Sequence, residues 1–268
     1  MNNFYHSSFT HSIWSDWLLL SFLILAGIVY WTISKRIGFQ MLYLTILSLT
    51  LGFVITRYFP FLSREDQLLP LTHPHIQASM TLFSFFIPLV RRRIEVILCL
   101  FPPLVISISY LFLQGISVFS IVGGILIGGF ISYMFYRSLD WMGAMPEPYL
   151  FTFAIIFPVF IGGLIYPYTT YFFLPGILLG AGIGVSSEQF KIRINLESSN
   201  NISKLLSLLL GIFGLIMGYL LFILSPISFP FLFLFTGIFV GLWITFFVPF
   251  ILVVTKIYDR QGKSRELF

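Results

Sequence analysis

The chain has 268 residues, of which 58% are hydrophobic, 19% aromatic and only 9% charged, and its mean hydropathy is +0.97. A water-soluble domain has no use for so much apolar surface, and continuous apolar runs of about 20 residues exclude the alternating strands of a membrane barrel. The net charge of +5 is spread over loops, so it does not indicate nucleic-acid binding. The composition predicts an all-α integral membrane protein.

In chain order, residues 1–16 read as a polar N-terminal leader, because they lack the basic start and the small-residue cleavage site of a signal peptide. Nine apolar spans are predicted after it, at residues 17–34, 41–56, 76–90, 94–112, 118–136, 149–165, 171–187, 205–224 and 231–255. The third span is close to the shortest length that crosses a bilayer, and the seventh is rich in glycine. Residues 257–268 read as a basic cytoplasmic tail.

Basic residues concentrate on one side of this map. With nine spans and the N-terminus outside, all but two of the 15 Lys and Arg residues fall in inner segments, and the exceptions are Arg57 and Arg64. Cytoplasmic loops of membrane proteins carry an excess of Lys and Arg. We therefore expect a multi-pass protein of a bacterial inner (plasma) membrane, with its C-terminus in the cytoplasm and all four histidines on the outer side.

No Asp, Glu, Lys or Arg lies in the middle of a predicted span. Proton pumps and ion-coupled transporters usually keep ionisable groups at membrane depth, and channels carry polar stripes. Both classes are therefore disfavoured. The single cysteine, Cys99, lies in an apolar run and permits no internal disulfide.

The most polar outer segment joins the second and third spans and reads RYFPFLSREDQLLPLTHPH, residues 57–75. The next outer turn, QGIS at 114–117, joins the fourth and fifth spans, so the two loops could form a pocket at the level of the lipid headgroups. His73 and His75 are also explained as interfacial residues that water and headgroups satisfy. A zinc site formed by both histidines with Glu65 and Asp66 is a third hypothesis.

The order of these features resembles the type 2 phosphatidic acid phosphatase superfamily of lipid phosphatases. LTHPHIQ is similar to a second motif that reads Phe-Pro-Ser-Gly-His-Ala-Gln in many bacterial members, with His75 and Gln77 at the motif histidine and glutamine. SIVGG at 120–124 resembles the end of the third motif apart from its aspartate, and TRYFP ends the first. The resemblance covers most of the chain. It implies a phosphatase-like six-helix core at 17–165 and additional C-terminal membrane helices at 166–256.

The residues that perform the chemistry of this family are missing. The attacking histidine and its orienting aspartate correspond to Ile116 and Ser120, and the phosphate-clamping arginine corresponds to Tyr110. The lysine and arginine of the first motif correspond to Gly52 and Phe59. Isoleucine cannot attack phosphorus, and tyrosine donates one hydrogen bond where arginine offers a charged fork. We therefore expect no catalytic residue, no cofactor and no metal.

Three functions are compatible with the sequence. The first is a catalytically degenerate protein that binds a lipid phosphate, such as polyprenyl phosphate or phosphatidate, at an outward-facing site, or that serves as a subunit of an envelope complex. The second is an active phosphatase with a rearranged site, in which His73 or His75 is the nucleophile. The third is a transporter or scaffold unrelated to the family.

The residues expected to contact a lipid headgroup are the polar side chains of the two outer loops and of the helix ends beside them: Arg57, Arg64, His73, His75, Gln77, Tyr110 and Gln114. At the opposite side, the loop of residues 186–204 is either a solvated connector or a docking surface for a membrane or cytoplasmic protein. No nucleic-acid partner is expected.

Overall fold

The computed structural model describes residues 13–64, 67–143, 147–196, 200–224 and 230–260. The helices are α1 (Ile13–Thr32), α2 (Lys35–Tyr58), α3 (Pro74–Ser84), α4 (Arg93–Gln114), α5 (Val118–Gly143), α6 (Glu147–Ile165), α7 (Phe173–Ser187), α8 (Asn201–Leu224), α9 (Pro230–Leu242) and α10 (Val248–Val254). A π-helical segment, Trp243–Phe247, connects α9 directly to α10. Two short strands, β1 (Pro60–Arg64) and β2 (Gln67–Pro70), pair in antiparallel fashion between α2 and α3.

The predicted helical class is confirmed, and each predicted span overlaps a helix, with α9 and α10 together forming the ninth. Within the described ranges, five helical segments are long and apolar enough to cross a membrane: Lys35–Tyr58, Arg93–Gln114, Val118–Ser138, Asn201–Leu220 and Phe231–Val254. On α4, large apolar side chains such as Ile97, Leu98 and Phe101 are exposed. An apolar face of this extent is suited to lipid and not to water.

Contacts near the helix termini show which ends lie together. The Tyr58 hydroxyl at the end of α2 donates to the Leu164 carbonyl oxygen at the end of α6, with 2.9 Å between the oxygens. The ring of Tyr110, late in α4, lies beside the ring of His73, just before α3. We call this end of the bundle, defined by Tyr58, His73, Tyr110 and Leu164, the histidine end.

The opposite end is defined by Trp31, Lys35, Glu188 and Tyr258, and we call it the lysine end. The Lys35 ammonium at the start of α2 lies 3.0 Å from Oε1 of Glu188, directly after α7. The Tyr258 hydroxyl, beyond α10, donates to the Trp31 carbonyl oxygen at the end of α1. The helices α2 and α7 therefore run in opposite directions between the two ends.

Helix α3 lies inside the bundle and packs against α2, α4 and α5. It begins at Pro74, whose fixed φ and missing N–H suit the first helical position, and most of its 11 residues are buried. Glycine permits α5 to approach it, because a methyl group on Gly128 would collide with the Gln77 carbonyl oxygen. Although the third predicted span is helical as expected, its α-helix is short and enclosed by its neighbours.

Candidate functional site at the histidine end

His73 and His75 flank the first residue of α3. His73 is the N-cap residue, with extended backbone (φ −104°, ψ 118°), and its side chain makes no capping hydrogen bond. Both side chains are buried, with 7% of each residue exposed. Their ring centroids lie 5.6 Å apart, and the ring planes meet at 40°. The fold thus buries both imidazoles side by side, whereas the sequence suggested that they lie in a loop at the membrane interface.

Aromatic rings from two other elements contact the pair, and a ring from a third element stacks on one of them. Tyr110 of α4 lies 4.4 Å from His73 and 6.2 Å from His75, measured between ring centroids. Phe53 of α2 meets His75 edge to face at 6.3 Å, and Tyr171, in the 3-10 turn before α7, stacks on Phe53 at 4.3 Å. We call these five residues the histidine cluster. Their rings fix the orientation of both imidazoles.

Two polar atoms in the histidine cluster have no partner. The Nδ1 atoms of His73 and His75 are both buried, and neither makes a hydrogen bond. Nearly all buried polar atoms in folded proteins are hydrogen-bonded, and leaving one unpaired costs about 1–3 kcal/mol. Each of these two nitrogens is therefore a candidate hydrogen-bonding group for a water molecule or a polar ligand.

The imidazole pair is uncharged at neutral pH. Burial lowers the pKa of His73 to about 4, since the charged ring would lose its hydration. Burial disfavours a charge on His75 for the same reason, and charging both rings, whose centroids lie 5.6 Å apart, would add repulsion between them. Both rings are therefore neutral hydrogen-bonding groups, each with one donor nitrogen and one acceptor nitrogen.

Arg57 lies one helical turn beyond Phe53 on α2. Its guanidinium carbon is 4.8 Å from the centroid of the Tyr168 ring, which is a cation–π contact. The structure thus places this predicted headgroup ligand at the histidine end, against an aromatic ring of the loop between α6 and α7. Arg64 belongs to β1, and its side chain is outside the part of the chain that the structure describes.

The side chain of Gln77 is buried and makes hydrogen bonds within the bundle. Its Oε1 accepts from Thr72 Oγ1 at 2.9 Å, and its Nε2 donates to the Ser48 carbonyl oxygen at 2.9 Å. Ser48 Oγ lies 2.7 Å from Thr81 Oγ1, which also donates to the Gly128 carbonyl oxygen at 3.0 Å. This buried network joins α2, α3 and α5. The amide that the sequence suggested for ligand binding holds helices together in this structure.

Gly52 and Phe59, at the positions of the first-motif lysine and arginine, have different surroundings. A Cβ on Gly52 would lie 2.8 Å from Pro74 Cα, so α2 and α3 are too close there for a larger side chain. Phe59 follows α2 and is 59% exposed. Neither position brings a cation to the histidine pair.

Two third-motif positions have structural contacts. Ile116, where the resemblance puts the attacking histidine, packs in a small apolar cluster with Ile76 and Tyr110. The Ser120 hydroxyl, at the position of the orienting aspartate, donates to the Pro70 carbonyl oxygen and secures the end of the hairpin. Gln114 is the last residue of α4, about one turn beyond Tyr110. The segments that the resemblance compares with the second and third motifs therefore meet at the histidine end.

Acidic partners for the histidines are absent from the side chains that the structure describes. Glu188 and Asp259 belong to the lysine end, and Glu95 lies in the first turn of α4, far from Tyr110. Within the same ranges, no group of three or more His, Cys, Asp or Glu residues could hold a metal ion. Glu65 and Asp66, the acidic residues of the zinc hypothesis, lie outside the described ranges.

Phe53, Tyr168 and Tyr171 are members or neighbours of the site that the sequence did not single out. Aromatic residues make up 19% of the chain, so a single ring does not indicate a site.

Comparisons with protein-family models, with curated proteins and with solved structures found no match.

Proposed function

We propose that this protein is a catalytically degenerate, lipid-phosphatase-like membrane protein that binds the phosphate headgroup of a lipid at the histidine end. The observation that carries the proposal is the pair of buried Nδ1 atoms of His73 and His75 without hydrogen-bond partners. Phosphate oxygens are strong hydrogen-bond acceptors, and a protonated phosphate is also a donor. A headgroup could therefore satisfy both imidazoles at once.

The convergence of the motif positions supports the family-like part of the proposal. His75 and Tyr110 are in ring contact, and Tyr110 also packs in one cluster with Ile116. These residues are distant in sequence, and the alignment required them to meet. We propose on this basis that α1–α6 form the phosphatase-like core and that α7–α10 are additional helices.

The chemistry of the site supports binding in preference to hydrolysis. Covalent phosphoryl transfer needs a nucleophile with an orienting partner and cations that stabilise the transferring group. No carboxylate among the described side chains orients either histidine, and the guanidinium of Arg57 packs against Tyr168. The position of the attacking histidine is occupied by Ile116, which has no nucleophilic atom.

The distribution of charge supports an outward-facing site. All but one of the basic side chains that the structure describes belong to helix termini of the lysine end. These are Lys35, Arg36, Arg91, Arg92, Arg93, Arg137, Lys191, Arg193, Lys204, Lys256 and Arg260. The remaining basic side chain among those described is Arg57, which lies at the histidine end. By the positive-inside rule, we propose that the lysine end faces the cytoplasm and that the histidine end faces the outer leaflet of a bacterial plasma membrane.

Native mass spectrometry of the purified protein with polyprenyl phosphate or phosphatidate tests the proposal. We expect one retained lipid per chain, and loss of that lipid in His73→Leu and His75→Leu. The matched control is Tyr133→Phe, which changes an exposed aromatic residue on α5 (59% exposed). Absence of any retained lipid phosphate would contradict the proposal. Phosphate release that depends on His75 would instead favour the active phosphatase.

A further inference from the structure

Three consecutive arginines lie between α3 and α4. Arg91 and Arg92 precede the helix, and Arg93 is its first residue. All three are exposed, and so are two large apolar residues that flank them, since Leu89 is 53% exposed and Ile94 is 65% exposed. Because the far end of α4 belongs to the histidine end, these arginines lie at the lysine end. We call them the arginine triplet.

The three guanidinium groups have no acidic partner within ion-pair distance among the side chains that the structure describes. Glu95 is the acidic residue nearest in sequence. Its Oε2 accepts from the backbone N–H groups of Arg91 and Arg92, at 3.1 Å in each case, so this carboxylate caps the start of α4. Three arginines and one glutamate leave two net positive charges, and the guanidinium groups are available to an outside partner.

A stripe of exposed apolar side chains continues from the triplet along one face of α4. Their spacing of three and four residues places them on the same side of the helix. They are Ile94, Ile97, Leu98, Phe101, Val105 and Ile108. At 1.5 Å per residue the stripe is about 21 Å long, more than the roughly 15 Å of one hydrocarbon leaflet. The opposite face, with Pro103, Ser107 and Tyr110, is buried.

The triplet and the stripe together match the chemistry of a phospholipid. A guanidinium offers phosphate oxygens a planar fork of charged donors. A soluble acidic protein would satisfy these cations but would leave the exposed Leu89 and Ile94 in water. A lipid satisfies the cations with its phosphate and covers the neighbouring apolar side chains with its acyl chains.

We infer that the arginine triplet and the apolar stripe of α4 bind an anionic phospholipid, with its phosphate at the guanidinium groups and its acyl chains along the helix. A zwitterionic lipid carries its own cation beside the phosphate, so the uncompensated triplet selects lipids of net negative charge. This site lies at the end of the bundle opposite the histidine cluster, and it does not depend on the proposed function.

Phosphatidylglycerol and phosphatidylcholine with the same acyl chains are matched probes, because only the headgroup differs. Each lipid is titrated into the full-length protein in a neutral detergent, and native mass spectrometry gives the dissociation constant of the first bound lipid. A basic residue near the phosphates strengthens anionic-lipid binding about fivefold. We therefore expect phosphatidylglycerol to bind at least tenfold more tightly than phosphatidylcholine. Cardiolipin, which carries the same phosphodiester group twice, is the second anionic probe.

Two triple variants separate this site from general surface charge. The first replaces the triplet (Arg91→Gln, Arg92→Gln and Arg93→Gln) and should reduce the preference for anionic lipid to less than twofold. The matched control replaces three other exposed cations of the lysine end and should keep the preference. It consists of Arg36→Gln, Lys191→Gln and Lys256→Gln.

Equal affinity of the unsubstituted protein for the zwitterionic lipid and both anionic lipids would overturn the inference without recourse to any variant. An equal loss in the two triple variants would also overturn it, since binding would then follow total charge. His75→Leu should leave the affinity for phosphatidylglycerol unchanged. If that variant lost phosphatidylglycerol, the lipid would bind at the histidine end and the triplet would not be its site.

Discussion

Replacing His75 with leucine tests whether its imidazole binds a ligand or stabilises the fold. Leucine has nearly the same volume as histidine and no polar atom, so the variant removes the buried, unpaired Nδ1. Removing that atom relieves about 1–3 kcal/mol. Loss of the ring contacts with Tyr110 and Phe53 opposes this gain by about 0.5–1.5 kcal/mol for each contact. The two effects are of similar size, so we expect the free energy of unfolding to change by less than about 1 kcal/mol.

The assay is reversible unfolding in mixed micelles with increasing sodium dodecyl sulfate, in the absence of lipid phosphate. The control is Ile76→Ala at the next residue, which is fully buried (0% exposed) and should lose about 2–5 kcal/mol. If His75→Leu were destabilised as strongly as Ile76→Ala, the imidazole would have a structural role, and the reasoning from the unpaired nitrogen would be wrong. Unchanged stability together with lost lipid binding is the expected result.

Three further predictions concern stability. The pKa of His73 is lowered from 6.5 to about 4, so the unfolded chain binds the proton more readily, and His73 should contribute a fall in stability of about 3 kcal/mol as the pH falls from 6.5 to 4. In unfolding titrations, His73→Leu should show a smaller fall than the unsubstituted protein, because the buried His75 remains. Glu188 is buried, and its Oε1 accepts from Lys35 and from the Ile194 amide, so Glu188→Gln should lower the free energy of unfolding by about 1–3 kcal/mol, whereas the exposed Asp259→Asn should not. Gly128→Ala should lower the melting temperature because of the collision with α3, while Gly163→Ala, with open space around it, should leave it unchanged.

The sequence predicted the helices well where an apolar run faces lipid. For α4, residues 94–112 were predicted and the helix is Arg93–Gln114, because a membrane-exposed helix must be apolar along its whole length. Helix α3 was harder to define from hydropathy. It is buried on all sides, so polar residues such as Gln77 and Thr81 can pair with each other inside the bundle, and these residues dilute the apolar signal.

The site was only partly predictable. His73, His75 and Tyr110 were identified from the loop and the resemblance, and they lie together in the structure. The depth of the histidines was not expected, because a polar loop before a span usually lies at the interface. Their burial follows from long-range packing, in which Tyr110 covers them and Ser120 holds the hairpin. No local pattern encodes such contacts.

The hairpin between α2 and α3 was also missed. Its strands are five and four residues long, and the loop contains no glycine or asparagine of the kind that marks a tight turn. A two-stranded hairpin is marginally stable by itself and needs packing against other elements. Here α2 and α3 approach each other closely at Gly52 and Pro74, and that approach is a property of the packed bundle.

We propose that the histidine end holds a lipid phosphate without hydrolysing it. One experiment measures both parts: the purified protein is incubated with phosphatidate labelled in its phosphate, and bound lipid and released inorganic phosphate are counted in the same sample. We expect about one bound lipid per chain and no phosphate release above a protein-free control. Release that disappears in His75→Leu, or the absence of bound lipid in the unsubstituted protein, would contradict it.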